Sequence, residues 1–403
     1  MSQTHRIAAA GRNLGTIMSR FGQAGWRRAA LGGVVCLAAA GWCQAEEARK
    51  STSVAGLTPV DVFVSGQDGY NTYRIPGIEV AADGTLLAFA EARRLNSSDP
   101  GMEHNDIDLV LKRSTDGGKT WSPMVVIEDP GEYWSAANPA TVLDRDTGKL
   151  WLLYLRCRPD RSTDNARPGT DDHQIIARFT TDAGQHWSEP IDLTTASRDM
   201  QNPKWRSTVI GPGGMIQDRH GRLIAPAWMV DPFTVFAIYS EDHGKTWQRG
   251  AMVPGGLHGD ENQLVELADG TILMDFRQGD NVPHRWFAAS HDGGKTWDKP
   301  HAGLPVSQVA CGIERLLSKS AGDDHDCIVW TGPRGPGRNN LVVRISHDNT
   351  RSFPTEKMIA ENPAAYSDLA RMPDKSVAIL YERDNYGYIT FLHLTESFLH
   401  GKP

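Results

Sequence analysis

The sequence has little cysteine, no long apolar run and no basic tract, and each shortage excludes a class of protein. Only five cysteines occur in 403 residues, and the three after residue 45 are Cys157, Cys311 and Cys327. An odd number cannot form a complete disulfide framework, although a Cys311–Cys327 bridge across a hairpin stays open. Their spacing with the histidines does not resemble a zinc motif. The sequence therefore predicts no metal and no other cofactor.

The first 45 residues differ in composition from the rest of the chain. They contain five arginines, no acidic residue and an apolar run from Ala29 to Ala40. Because that run is short for a bilayer span, the pattern predicts a signal peptide over residues 1–45, with cleavage after Ala45. Met18 gives a more usual signal length than Met1. We therefore expect a secreted or periplasmic protein whose mature part, residues 46–403, is one domain without a membrane span.

The mature chain has an acidic balance. Removing the five arginines of the signal segment takes the formal net charge from −7 to −12. Since no run of Lys or Arg interrupts the remaining sequence, the electrostatic footprint of a nucleic-acid-binding protein is missing. We therefore expect no nucleic-acid partner.

A repeated octet is the most regular feature of the sequence. It occurs at Ser114–Trp121, Thr180–Trp187, Ser240–Trp247 and Ser290–Trp297, and a fifth copy without Gly or Trp occurs at Ser346–Phe353. Each copy joins two short segments with alternating apolar residues, so it predicts a hairpin turn. In such a turn Asp accepts backbone hydrogen bonds and Gly adopts a positive φ. We call this octet the Asp box. Its regular spacing indicates one β unit repeated along the chain.

A second turn signal recurs out of phase with the Asp boxes. Its six positions are Asp83, Asp146, Asp218, Asp269, Asp323 and Asp374. We call these six turns the early turns, because each precedes an Asp box within its unit or stands where one would follow. Six early turns and five Asp boxes, at about 60 residues per unit, predict an all-β protein, a six-bladed β-propeller. A strand from the start of the mature chain, between Val62 and Val80, would close the ring and leave no exposed sheet edge.

Three arginines are candidates for a binding site. Arg74 in YRIP, Arg277 in MDFR and Arg338 in GPGRNNL lie beside strands of three different predicted blades. Converging guanidinium groups are costly unless an anion lies between them, and a carboxylate matches their geometry best. By composition alone, they could also be solvated surface residues.

The ordered series of motifs resembles the bacterial exo-α-sialidases, a family of six-bladed propeller glycoside hydrolases. The Asp boxes, YRIP, DENQLVELADGTILMDFR, GRNNLVVRISHD and AAYSDLARMPDKSVAILYE carry the resemblance, which extends from Asp61 to Glu382. It implies hydrolysis of terminal α-linked sialic acid from glycoproteins, glycolipids and oligosaccharides, so sialylated glycans are the expected partners. Two alternatives stay open: a non-catalytic carbohydrate-binding propeller, and an Asp-box hydrolase that acts on a neutral glycan.

For substrate binding, the resemblance implies that Arg74, Arg277 and Arg338 clamp the carboxylate of sialic acid. Glu382 in LYE resembles the carboxylate that holds the first arginine of this triad in place. Arg93 in EARR resembles a further arginine that lines the pocket near the loop of the catalytic acid, called the acid loop below, and touches the sugar. Its neighbour Arg94 is interpreted as a surface charge.

For catalysis, the resemblance implies that Tyr366 in AAYSD is the nucleophile and Glu261 in DENQ is the base that activates it. The anomeric carbon of sialic acid bears a carboxylate, so a neutral phenol avoids the repulsion that an ionised Asp or Glu would meet. Tyrosine nucleophiles are a known exception to the two-carboxylate rule of glycosidases. Double displacement implies retention of configuration.

The acid/base is expected in the segment RRLNSSDPGMEHNDIDLVLKRS, which is longer than the usual loop of the family. Its candidates are Asp99, Glu103, Asp106 and Asp108. Asp99 follows NSS in the manner of the family and is the predicted acid/base, although a solvated loop carboxylate is the other interpretation. Asp108 alternates with apolar residues and is assigned to the strand.

Five other polar or aromatic residues receive no catalytic role. His104, His258 and His284 are interpreted as loop or surface histidines. Trp134 and Trp228 lie near predicted blade loops, where each could contact the acyl chain or aglycone or pack in the core.

Overall fold

The computed structural model describes residue 54 and residues 56–256, 258–279, 282–306 and 308–400. The predicted signal peptide at residues 1–45 lies outside this part of the chain. The described helices are α1 (Thr194–Ser197) and α2 (Glu396–His400), and a 3₁₀ turn spans Lys319–Ala321. No helix in these ranges has the length and apolar character needed to cross a membrane.

Short, mostly antiparallel strands form the rest of the molecule. After β1 (Val60–Val64), they follow in groups of four that we number as blades. Blade 1 contains β2 (Thr72–Val80), β3 (Leu86–Arg93), β4 (Ile107–Ser114) and β5 (Val125–Glu128); blade 2 contains β6 (Ser135–Leu143), β7 (Leu150–Cys157), β8 (His173–Thr180) and β9 (Ile191–Asp192). In blade 3, the first strand is divided into β10 (Ser207–Ile210), β11 (Gly213–Gly214) and β12 (Ile216–Gln217), followed by β13 (Leu223–Val230), β14 (Thr234–Ser240) and β15 (Gln248–Arg249).

The second half of the chain repeats the pattern. Blade 4 contains β16 (Gly259–Glu266), β17 (Ile272–Gln278), β18 (Trp286–Ser290) and β19 (His301–Ala302). Blade 5 contains β20 (Gly312–Leu317), β21 (Cys327–Pro333), β22 (Asn339–Ser346) and the first part of β23 (Thr355–Arg371). The second part of β23 begins blade 6, which continues with β24 (Val377–Arg383) and β25 (Tyr388–Leu394). The predicted all-β, six-bladed architecture is confirmed.

The two ends of the described chain meet in blade 6. Strand β1 pairs with β25 in antiparallel register, with Val60 opposite Phe391, and so forms the outer strand of that blade. The segment between Val62 and Val80 is divided between two blades, because its later part is β2 of blade 1.

Both recurring turns lie at one end of the propeller. All five Asp boxes connect the third strand of a blade to the fourth, and the six early turns connect the first strand to the second. In the third box, one Asp242 oxygen accepts hydrogen bonds from the Ser240 hydroxyl and the Thr246 backbone N–H, each at 2.8 Å. The sequence signal therefore describes the local hydrogen bonding of the turn.

The tryptophan of each intact box packs against another blade. Trp247 of blade 3 lies 5.9 Å from Trp151 of blade 2 between ring centroids, and Trp121 of blade 1 lies 5.4 Å from Phe391 of blade 6. Gly244, at φ +84°, allows this contact, because a Cβ there would lie 2.1 Å from the Trp151 ring. The boxes of blades 1 and 3 thus pack each of these blades against the preceding one in the ring.

The cysteine bridge left open by the sequence does not form. Cys157, Cys311 and Cys327 are free and buried. Cys311 precedes the first residue of β20, whereas Cys327 pairs with Leu317 at the opposite end of the same hairpin. Since a strand rises about 3.3 Å per residue, the two sulfurs cannot meet.

Candidate active site

The strand order brings the predicted site residues to one end of the propeller, opposite the Asp boxes. That end is formed by the starts of first strands, the ends of second strands and the loops from second to third strands. The starts of first strands carry Arg74, Glu261 and Tyr366, and the ends of second strands carry Arg93, Arg277 and Glu382. The loops from second to third strands carry Asp99 and Arg338. Residues from four blades therefore face a common region.

The first strands are irregular at this end. Their register shifts between Arg74 and Gly77 in β2, between Gly259 and Asn262 in β16, and between Ala364 and Ser367 in β23. β-bulges re-aim side chains and are frequent next to active sites. Ile75, a β-branched residue, has φ +57° within the first bulge, a strained conformation that its surroundings must hold.

Glu382 supplies part of that support. Its side chain is fully buried and accepts hydrogen bonds from Arg74 Nε at 3.0 Å and Nη2 at 3.3 Å. It also accepts the backbone N–H groups of Ile75 at 2.9 Å and of Tyr366 at 3.2 Å. One carboxylate therefore fixes the arginine, the strained residue beside it and the backbone of the tyrosine.

Tyr366 and Glu261 form a close pair inside the site. The Tyr366 hydroxyl donates to Glu261, whose two carboxylate oxygens both lie 2.6 Å away. Arg277 Nη1 lies 3.1 Å from that hydroxyl and 2.9 Å from Glu261 Oε2. Both members of the pair are buried. The arrangement aims the phenol proton directly at a carboxylate.

The surroundings shift both pKa values upward. Burial, followed by the negative charge of Glu261, raises the pKa of Tyr366 well above its usual value, while Arg277, Arg74 and Arg338 oppose the rise. Burial also raises the pKa of Glu261, against the opposing effect of Arg277. The phenol is therefore neutral in the resting site, and the nearby carboxylate is a stronger base than an exposed glutamate.

The three predicted triad arginines surround Tyr366. The guanidinium carbons of Arg74 and Arg338 lie 5.0 and 5.1 Å from the centre of its ring. Arg277 reaches its hydroxyl and is held by Asp260 through a two-point contact of 2.7 and 2.8 Å. Arg338 forms no ion pair with a carboxylate of the described residues, and it donates instead to the Tyr386 hydroxyl at 2.7 Å.

Asp260 and Tyr386 are contributors that the sequence did not reveal. Asp260 belongs to the DENQ motif but was given no role, although it orients Arg277. Tyr386, in the loop after β24, lies between two arginines: the Arg74 guanidinium is 4.3 Å from its ring centre, and Arg338 contacts its hydroxyl. The DENQ motif itself was an available signal for Asp260, whereas Tyr386 lies outside every quoted motif.

The structure separates the four acid/base candidates. Asp99 Oδ1 lies 2.9 Å from Arg93 Nη1 and 3.5 Å from Arg74 Nη1, and its side chain is 63% exposed. Glu103 accepts from Ser98 on the exposed part of the loop, and Asp106 and Asp108 pair with Arg94. Of these carboxylates, Asp99 is the one in contact with a triad arginine.

Arg93 is completely buried and lies behind Asp99. Its guanidinium donates to Glu91 at 2.7 and 3.1 Å as well as to Asp99. Partial burial would raise the pKa of Asp99, but the charges of Arg93 and Arg74 outweigh it and lower that pKa. In this position Arg93 orients the acid loop, and Asp99 is the more exposed of the two.

The remaining singled-out residues lie in other environments. His104 pairs with Asp160 at 2.6 Å, and His284 contacts a backbone carbonyl through Nδ1. Trp228 is buried and stacks on Phe233 with ring centres 5.7 Å apart. Trp134 packs against Arg158. His258 lies in the turn before β16.

Comparison with known proteins identifies relatives by sequence and by fold. The family model described as BNR repeat-like domain matches residues 84–379. A sialidase of Clostridium perfringens is 31% identical over 84% of this chain and 93% of its own length. A sialidase of Micromonospora viridifaciens is 30% identical over 81% of this chain. The chain spans about half the length of the latter protein, 52%.

Solved structures give the same picture. The Hadza microbial sialidase Hz136 superposes with a TM-score of 0.75 at 25% identity, covering 84% of this chain and 69% of its own. A leech intramolecular trans-sialidase superposes with a TM-score of 0.73 at 18% identity, covering 86% of this chain and 71% of its own. The second similarity shows the fold alone.

Proposed function

Because this chain belongs to the sialidase family of BNR-repeat proteins, we propose that it is an exo-α-sialidase that hydrolyses terminal sialic acid from glycoproteins, glycolipids and oligosaccharides by a retaining mechanism. The observation that carries the proposal is the Tyr366–Glu261 pair, hydrogen-bonded at 2.6 Å within three arginines. A propeller that only bound sugars would have no need of a buried phenol facing a buried base.

The triad arginines bind the substrate carboxylate in this proposal. Glu382 holds Arg74 and Asp260 holds Arg277, each through Nε and Nη2 of the arginine. This leaves Nη1 of Arg74 directed toward Asp99 and Nη1 of Arg277 directed toward Tyr366. Arg338 has no carboxylate partner among the described residues. A planar anion matches such donors through charge-assisted hydrogen bonds. A neutral glycan would leave the positive charge of Arg338 without a counterpart.

In the first step, the Tyr366 oxygen attacks the anomeric carbon and Glu261 takes the phenol proton. The bond from the anomeric carbon to the leaving oxygen breaks, and Asp99 donates a proton to that oxygen. In the second step, Asp99 takes a proton from water as the water oxygen attacks the same carbon. The bond to Tyr366 breaks, and Glu261 returns the proton to the phenol, so both displacements together retain the configuration.

Substrate binding prepares Asp99 for its role as an acid. In the free protein Arg93 and Arg74 favour its ionised form and lower its pKa. A substrate carboxylate bound to Arg74 offsets that positive charge and adds a negative charge beside Asp99, and both effects favour the protonated form. The acid is therefore charged before the substrate binds and more easily protonated once it is in place.

The domain and its location complete the proposal. Residues 46–403 form one catalytic domain, and residues 1–45 direct export, so the enzyme is secreted or periplasmic and meets sialylated glycans outside the cytoplasm. The acidic balance of the sequence does not exclude an anionic substrate, since exposed charges are screened over about 10 Å at ordinary salt.

We expect the purified protein to release 4-methylumbelliferone from its α-sialoside. The matched control is the corresponding α-mannoside, which has the same fluorescent group on a sugar without a carboxylate. Cleavage of the sialoside alone supports the proposal. No release from this compound or from sialyllactose would favour a binding propeller, and cleavage of the neutral glycoside would favour a different hydrolase.

Asp99→Asn is expected to lower kcat on sialyllactose by about 10²–10³-fold, because the poor alkoxide leaving group needs a proton. On the methylumbelliferyl sialoside, the rate of the step that releases the phenol should fall much less, because this acidic phenol leaves without needing a proton. The measurement is kcat on both substrates. Glu103→Gln, in the same loop, is the matched control and should retain activity. Equal losses on the two substrates at the same rate-limiting step would contradict an acid role for Asp99.

A further inference from the structure

Three histidines that are far apart in the sequence meet at the Asp-box end of blade 5, opposite the active site. His325 lies in the turn before β21, His347 in the fifth Asp box and His400 at the end of α2. Their ring centres are 5.2, 5.8 and 5.8 Å apart. One ring nitrogen from each lies within 4.8 Å of those of the other two. The separations in sequence, 22 and 53 residues, explain why no spacing motif revealed them.

The ring of His347 makes a backbone contact of the kind found in metal-binding histidines. Its Nδ1 lies 3.1 Å from the backbone carbonyl oxygen of Asp326. Because a carbonyl oxygen can only accept, Nδ1 carries the hydrogen and Nε2 carries the lone pair. Metal-binding histidines commonly donate their second nitrogen to a carbonyl in this way.

The other two rings are available for the same ion. Within the described residues, no hydrogen-bond partner meets the ring nitrogens of His325 or His400. In its neutral form, each ring therefore has a nitrogen that can coordinate a metal.

We propose that His325, His347 and His400 bind a divalent transition-metal ion, for which Zn²⁺ is the best chemical match, and that the ion fastens the C-terminal helix α2 to blade 5. Three imidazoles suit Zn²⁺, Cu²⁺ or Ni²⁺ and do not suit Ca²⁺ or Mg²⁺. At Zn–N bonds of about 2.0–2.1 Å, tetrahedral ligand atoms lie roughly 3.3 Å apart. His347 and His400 are exposed and His325 is half-buried, so the rings can reach that spacing by rotation of their side chains, with water at the fourth position.

A second group of possible metal ligands carries no such inference. Asp144, Asp146 and His243 also approach one another. However, Asp144 already accepts hydrogen bonds from Gln217, Thr147 and His243. These contacts join blades 2 and 3 and satisfy the carboxylate without an ion.

The test is a titration of the metal-free full-length protein, prepared without a polyhistidine tag, with Zn²⁺ and separately with Ca²⁺. We expect Zn²⁺ to bind at a 1:1 ratio by calorimetry and to raise Tm by about 2–4 °C in excess. His347→Ala and His400→Ala should weaken binding by more than about tenfold. Both variants should fold, because the buried Leu399 and a hydrogen bond from Lys357 to the Phe398 carbonyl also hold α2.

His291→Ala is the matched control. His291 occupies the same position of the fourth Asp box as His347 does in the fifth, but it pairs with Asp298. Retained binding in this control, together with loss in the other two variants, supports the site. Equal Zn²⁺ binding by all variants, no binding by the unmodified protein, or an equal response to Ca²⁺ would each overturn the proposal.

Discussion

Tyr366→Phe is expected to lower kcat on the methylumbelliferyl α-sialoside by about 10³-fold or more. The change removes one oxygen, which is the atom that attacks the anomeric carbon, and nucleophile deletions in other hydrolases have effects of this order or larger. Initial rates measured over a range of substrate concentrations will separate kcat from KM. Because the substrate carboxylate is bound by arginines, KM should change much less.

The substitution should leave the fold intact. The aromatic ring still packs beneath Arg74 and Arg338, and the lost contacts are those of the hydroxyl with Glu261 and Arg277. Tyr239→Phe, which removes a hydroxyl from β14 in blade 3, is the matched control and should retain full activity. A Tyr366→Phe protein with near-normal kcat and an unchanged melting temperature would exclude this tyrosine as the nucleophile.

The sequence predicted the repeat architecture because that information is local. In an Asp box such as Ser240–Trp247, the residues that form the turn are neighbours in the chain, so their pattern survives in a single sequence. The six early turns have the same property. The number of blades followed from counting them.

The site was only partly accessible from the sequence, since its contacts join distant segments. Arg74 and Glu382 are 308 positions apart, and only the resemblance paired them before the structure placed them 3.0 Å apart. Tyr386 lies in a turn without a motif and at φ +68°, so nothing local indicated its position between two arginines. The register shifts that aim Arg74 and Tyr366 depend on cross-strand pairing, which composition does not reveal.

Arg93 shows how a residue singled out by the resemblance can have surroundings that the sequence did not describe. The resemblance suggested contact with the sugar, but the structure buries this arginine between Glu91 and Asp99. Its contact with Asp99 makes orientation of the acid loop the role that its environment favours. The fully buried Glu91 that balances its charge precedes it by two residues on the same strand face, a spacing that was available in the sequence.

Glu261→Gln is expected to lower kcat by about 10²–10⁴-fold at neutral pH, because the phenol then has no base to accept its proton. Arg277 keeps its two-point contact with Asp260, so the guanidinium is not left unpaired. Glu266→Gln is the matched control at the other end of β16, where the side chain pairs with Arg219, and it should retain activity. An unchanged kcat in Glu261→Gln would contradict the proposed base.

The pH dependence of this variant distinguishes a base from a residue that only supports the fold. Burial and, after it, the negative charge of Glu261 raise the pKa of Tyr366, whereas Arg277, Arg74 and Arg338 lower it. Without the glutamate charge the phenol loses its proton more easily, and only the phenolate can attack unaided. The substrate for this test is the methylumbelliferyl sialoside, because its cleavage depends least on Asp99. The kcat of Glu261→Gln should therefore rise with pH, and the double variant that also carries Tyr366→Phe should show no rise. A flat profile, or a rise that persists without the tyrosine hydroxyl, would mean that Glu261 does not act through Tyr366.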